Sequence, residues 1–74
     1  MRTSFDTARA EALFASALQS SDQPSAAEVR TAVTSTLRAL GLRGCAARLA
    51  AEFGDHPETA ASRMSWAITT IGRI

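Results

Sequence analysis

The side chains able to ligate, attack or hold an anion are few: one cysteine, Cys45, one histidine, His56, and eight arginines with no lysine. A lone Cys forms no intrachain disulfide, and one Cys with one His falls short of the four ligands of a structural zinc site. There is no Gly-rich phosphate loop, no Cys–His constellation and no carboxylate pair spaced to frame a reacting bond. No metal, cofactor, small-molecule substrate or enzymatic activity is expected. What remains is anion chemistry. An arginine fork holds a phosphate through paired hydrogen bonds, and Arg43, Arg48, Arg63 and Arg73 all lie in the C-terminal part of the chain. The arginine bias has a plainer origin as well, because Ala, Arg and Gly all use GC-rich codons. The net charge is only +1, short of the basic footprint of most nucleic-acid binders.

Four residues carry two readings each. Cys45 is a small buried apolar residue, or a thiol at a helix start, where the dipole lowers its pKa. His56 is a turn residue or a phosphate contact. Arg63 is a surface residue or a phosphate contact. Trp66 falls roughly 120–140° from the centre of its helix's apolar stripe. It packs sideways on the first helix beside Phe14, or it is a partly exposed anchor for a partner, a role in which Trp is enriched.

These residues need helices to position them, and the apolar spacing supplies four. Ala10, Leu13, Phe14, Ala17 and Leu18 line one face of a first helix, which starts after Thr3 or Ser4 with Thr3 and Asp6 as caps and breaks before Pro24. Ser25-Ala26-Ala27-Glu28 is a capping box opening a second helix, whose stripe is Val29, Ala32, Val33, Leu37 and Leu40. Gly41 and Gly44 bracket a tight connection. Cys45 to Phe53 reads as a third helix with Ala46, Leu49, Ala50 and Phe53 inward. Gly54 closes it in the left-handed conformation. Pro57 suits the first position of a fourth helix, which runs to about Thr70 or Ile71 with Ala60, Met64, Ala67, Ile68 and Ile71 on one stripe. The expectation is a single all-α domain over residues 1–74, a compact bundle of four short helices.

Helix, short turn and helix over residues 45–71 make a helix-turn-helix. The stretch LAAEFGDHPETAASRMSWA, Leu49 to Ala67, resembles the helix-turn-helix of sigma factor region four and of related response-regulator domains, with Ala50, Gly54, Thr59, Ser62-Arg63-Met64 and Ala67 in corresponding order. Asp55 stands where those families commonly have an apolar residue, and Trp66 where a basic one is common. The whole chain also resembles short proteins of high-GC actinobacteria, through ALFASALQ, GCA and HPETA followed by RM and WA. That likeness brings no activity with it.

The resemblance implies a regulatory or adaptor role near transcription. His56, Thr59, Ser62 and Arg63 would face DNA, with Arg43 and Arg48 on phosphates, or the motif would bind a protein of the transcription apparatus. The alternative is a protein–protein interaction module, with Trp66 and Phe14 at the contact and the motif as scaffold. A chain of 74 residues buries little more than about 60% of its unfolded surface, and such a core supplies roughly 3–5 kcal/mol. With no disulfide and no metal, a homodimer is the open route to more. The N-terminus lacks a signal-peptide core and no window reaches the ~18 apolar residues of a membrane span, so a cytosolic chain with no membrane partner is expected.

Overall fold

The computed structural model describes residues 4–74. Helix α1 spans Ser4–Ala15, a single 3-10 turn spans Ser20–Asp22, α2 spans Ala26–Asp55 and α3 spans Pro57–Arg73. Thr3, expected to cap α1, lies outside the described residues. Asp6 occupies the first turn of α1, where a carboxylate meets the positive end of the dipole.

Three helices stand where four were expected. The connection placed between Gly41 and Gly44 does not form: the helical run continues through Leu42 and Arg43, and only Gly41 leaves helical geometry, at φ 71° and ψ 174°. That one residue bends α2. Thirty residues of straight helix would be about 45 Å long, yet the longest dimension of the molecule is 30 Å. Gly44 serves the bend differently. It is helical, but a Cβ there would come within 2.9 Å of the Leu40 Cβ, so the second glycine permits close approach across the kink.

The junction before α3 is also tighter than expected. Gly54 is helical, since Gly41 is the one glycine with positive φ among the described residues. Helix α2 therefore runs through to Asp55. The reversal falls on His56 alone, at φ −140° and ψ 66°. The following proline keeps His56 out of the helical region, and Pro57 opens α3 as expected. The His56 N–H still donates to the Glu52 carbonyl at 2.7 Å, and the His56 carbonyl accepts from the Ala60 N–H at 2.8 Å. No loop intervenes.

The hub of the core is α1. Ala10, Ala12, Leu13, Phe14 and Ala15 are all buried, which spreads burial around its whole C-terminal half. Both other helices pack on α1 more extensively than on each other. Of the residues expected inward between Cys45 and Phe53, Leu49 packs against the core, and the others are corrected. Ala46 and Ala50 are exposed, and Phe53 is 39% exposed while its ring stacks on Phe14 with centroids 6.2 Å apart. The fully buried residue of this limb is Cys45, with Leu49 packed against the core one turn on. On α1 itself, the helix ends at Ala15, leaving Ala17 exposed and Leu18 half-buried. The α3 stripe holds: Ala60, Ala67 and Ile71 are buried, with Met64 and Ile68 packed against them.

The capping box at the start of α2 forms as the sequence indicates. Ser25 Oγ accepts from the Glu28 N–H at 3.1 Å, and a Glu28 carboxylate oxygen accepts from the Ser25 N–H at 3.0 Å. The Ser25 backbone N–H first, and the Ser25 side chain second, hold the Glu28 carboxyl below its ordinary 4.5. A depressed folded-state pKa means that the contribution is in place above pH 4.5 and is lost as pH falls through the lower, folded value. Ser25→Ala is expected to cost about 1 kcal/mol in urea unfolding at neutral pH. It should also raise the Glu28 pKa measured by NMR titration.

Candidate interaction surface

Arg63 is the most heavily engaged polar side chain described. Its Nε donates to the Phe14 carbonyl at 2.9 Å, and its Nη2 donates to the carbonyls of Ser16 at 2.9 Å and Leu13 at 3.3 Å. The last carbonyls of an α-helix have no partners within it, and α1 carries no basic residue in its own last turn. Arg63 supplies from α3 the cation that α1 lacks, at the negative end of its dipole. The guanidinium also lies over two rings, 5.7 Å from the Phe14 centroid and 5.2 Å from that of Trp66. Burial pushes the Arg63 pKa down, opposed by the Glu52 charge, and the group stays cationic at neutral pH. Ser16 completes the cap: its hydroxyl donates to the Leu13 carbonyl at 2.7 Å and accepts from the Leu18 N–H at 3.3 Å.

This fixes where the expected DNA-facing residues stand. His56, Thr59 and Ser62 are exposed on or beside the first turns of α3, and Arg43 and Arg48 are exposed on α2. Arg63 is not with them, because its fork is spent on α1. From residue 49 to 72 the chain has Glu52, Asp55 and Glu58 and no basic residue except Arg63. Acidic side chains therefore outnumber arginines around the α2–α3 junction. Phe14, expected at a partner contact, is buried and cannot touch a partner without opening the core. Trp66 is half-buried beneath the Arg63 fork. Its remaining surface borders an open groove of about 760 Å³ with Ser62, Ser65, Thr69, Thr70 and Arg73. Water satisfies such hydroxyls as well as a ligand would.

Cys45 is 1% exposed. Burial pushes its thiol up, the Glu11 carboxylate adds to this and Arg48 opposes it. Of the two readings of Cys45, the small buried apolar residue is the one its surroundings support, and the thiol activated by a helix start is not, because Cys45 lies beyond the Gly41 bend, inside the core. No group of three or more His, Cys, Asp or Glu among the described residues could hold a metal ion. No described helix is long and apolar enough to cross a membrane.

A second groove, about 320 Å³, lies where the start of α1, the first limb of α2 and the end of α3 meet. Val33 and Ile71 are buried there, Leu37 is half-buried, and Phe5 and Ile74 are 63% and 44% exposed. Arg9 and Arg30 supply its charge. Arg9 is partly neutralised: it lies 4.0 Å over the Phe5 ring and 3.4 Å from Asp6. Arg30 has no ion pair among the described residues. It shares a shallow depression with Thr34, Ser35 and Arg38 one turn and two turns along α2. Phe5, Ile74, Arg30 and Arg38 were not singled out from the sequence, and Leu37 was read only as part of the apolar stripe of its helix. A signal was available for the arginines: residues 29–51 hold Arg30, Arg38, Arg43 and Arg48 and no acidic residue.

No protein-family model, curated protein or solved structure matches this chain. Of the positions that carry its likeness to sigma factor region four, Ala50 is exposed, Gly54 is helical and Arg63 points into the protein, while Ala67 is buried.

Proposed function

We propose that this chain is a non-enzymatic helical adaptor that binds another protein, with its helix–junction–helix segment serving as scaffold. The observation that carries the reading is the apolar groove between α1, α2 and α3, whose walls leave Phe5 63% and Ile74 44% exposed. Apolar side chains gathered at a groove with a charged rim are the usual signature of an interaction site. The inward commitment of Arg63 supports the same reading from the other side, since it takes one of the two arginines of α3 away from any phosphate contact. A transcription component remains within the class of partner proposed. The DNA reading keeps one point in its favour, the acid-free run of α2, which would place phosphate contacts on that helix.

The test is cross-linking in cells of the source organism, with a photoreactive residue in place of Phe5 and, separately, of Glu58 at the acidic junction. A discrete protein adduct from position 5 and none from position 58 is expected. A nucleic-acid adduct, or a protein adduct from position 58 alone, overturns the reading.

A further inference from the structure

We propose that the groove lined by Phe5, Val33, Leu37, Ile71 and Ile74 seats an amphipathic helix whose apolar anchors are flanked by carboxylates about two turns apart. This rests on the adaptor reading above and adds to it the chemistry of the partner. The groove is the size of a small ligand pocket and takes a few aliphatic side chains, as the i, i+3 and i+7 anchors of a helix laid in a groove require.

The charge requirement comes from the rim. No acidic side chain lines the groove among the described residues. Arg9 is half compensated by Asp6, whereas Arg30 and Arg38 have no ion pair among the described residues and border one depression. Eight residues of helix separate them by about 12 Å, so carboxylates seven or eight positions apart on a bound helix would meet both. Complementary charge of this kind steers encounter and fixes register. Thr34 and Ser35, in the same depression, offer hydroxyl donors between the two arginines.

The probe is a fluorescein-labelled designed helical peptide with leucines at i, i+3 and i+7 and glutamates flanking them, compared by anisotropy with a version carrying lysines in place of the glutamates. The glutamate peptide is expected to bind at least tenfold more tightly. Arg30→Glu should weaken it about tenfold and strengthen the lysine peptide, and Phe5→Ala should weaken both. Arg30 and Phe5 are exposed, and circular dichroism checks that each variant keeps its helix content. Equal binding of the two peptides, or indifference of the glutamate peptide to Arg30→Glu, overturns the proposal. Sedimentation of the protein alone adds a further arm. Concentration-dependent association abolished by Arg30→Glu and restored by Glu58→Arg would make a second copy the occupant, and the proposal would fall. A position-5 protein adduct in cells together with a failed glutamate peptide rejects the acidic-helix chemistry while leaving the adaptor reading standing.

Discussion

Arg63→Ala is expected to destabilise the protein by about 3 kcal/mol, because it removes charge-assisted hydrogen bonds to three carbonyls and leaves those of Phe14 and Ser16 unmet, while the Leu13 carbonyl keeps the Ser16 hydroxyl. For a domain of this size that corresponds to a fall in Tm of roughly 10–20 °C. Against a core worth roughly 3–5 kcal/mol, the variant would populate unfolded chain at room temperature. Arg63→Met keeps much of the aliphatic stem and separates its packing from the hydrogen bonds. Arg63→Lys should restore only a minor part, since an ammonium cannot span the Phe14, Ser16 and Leu13 carbonyls as a planar fork does. Urea unfolding of the three variants measures this. A Lys variant as stable as the parent removes the argument from fork geometry, and an Ala variant of unchanged stability returns Arg63 to the surface and to the DNA reading.

The second large effect separates the four glycines. Gly41→Ala forces a Cβ into a φ of 71° with ψ of 174°, a region essentially restricted to glycine, at a cost of about 1–3 kcal/mol. Gly44→Ala has ordinary helical φ, but its new Cβ meets the Leu40 Cβ at 2.9 Å. Opening the bend to relieve that contact costs about 1–3 kcal/mol. Gly54→Ala and Gly72→Ala meet nothing within 4 Å and lie in helix, so each should stabilise by about 0.5 kcal/mol through the lower helix propensity of glycine. Thermal unfolding of the four variants should split them into two destabilised and two improved. A large loss at Gly54 would mean that the chain reverses there in the left-handed conformation, and that the junction at His56 is wrong.

The sequence carried the helical content, the capping box at Ser25, the proline at the start of α3 and the apolar stripe of α3, because each follows from local rules of spacing and end chemistry. It misled wherever a glycine was read as punctuation. A Gly between helical runs marks an end, a bend or a close approach, and Gly54, Gly41 and Gly44 need coordinates to tell these apart. The inward face of α2 beyond the bend was misread because alanines fit either face: Ala46 and Ala50 go out, while Cys45 and Leu49 go in. Arg63 was invisible as a cap because its acceptors lie 47 to 50 positions away, outside any local pattern. Of the surface proposed here, the acid-free run of α2 was legible, whereas the meeting of Phe5 with Ile74 was not, since the two lie at opposite ends of the described chain.

The separation between Arg63 and the carbonyls it holds also orders events in time. Helix α2 closes its own bonds locally and Ser16 holds the Leu13 carbonyl, but the Phe14 and Ser16 carbonyls wait until α3 exists and swings back. Bringing together points about fifty residues apart carries a loop-closure entropy of about 3 kcal/mol, to be met before that contact returns anything. A chain still being synthesised thus leaves the Phe14 and Ser16 carbonyls unlatched until α3 has emerged.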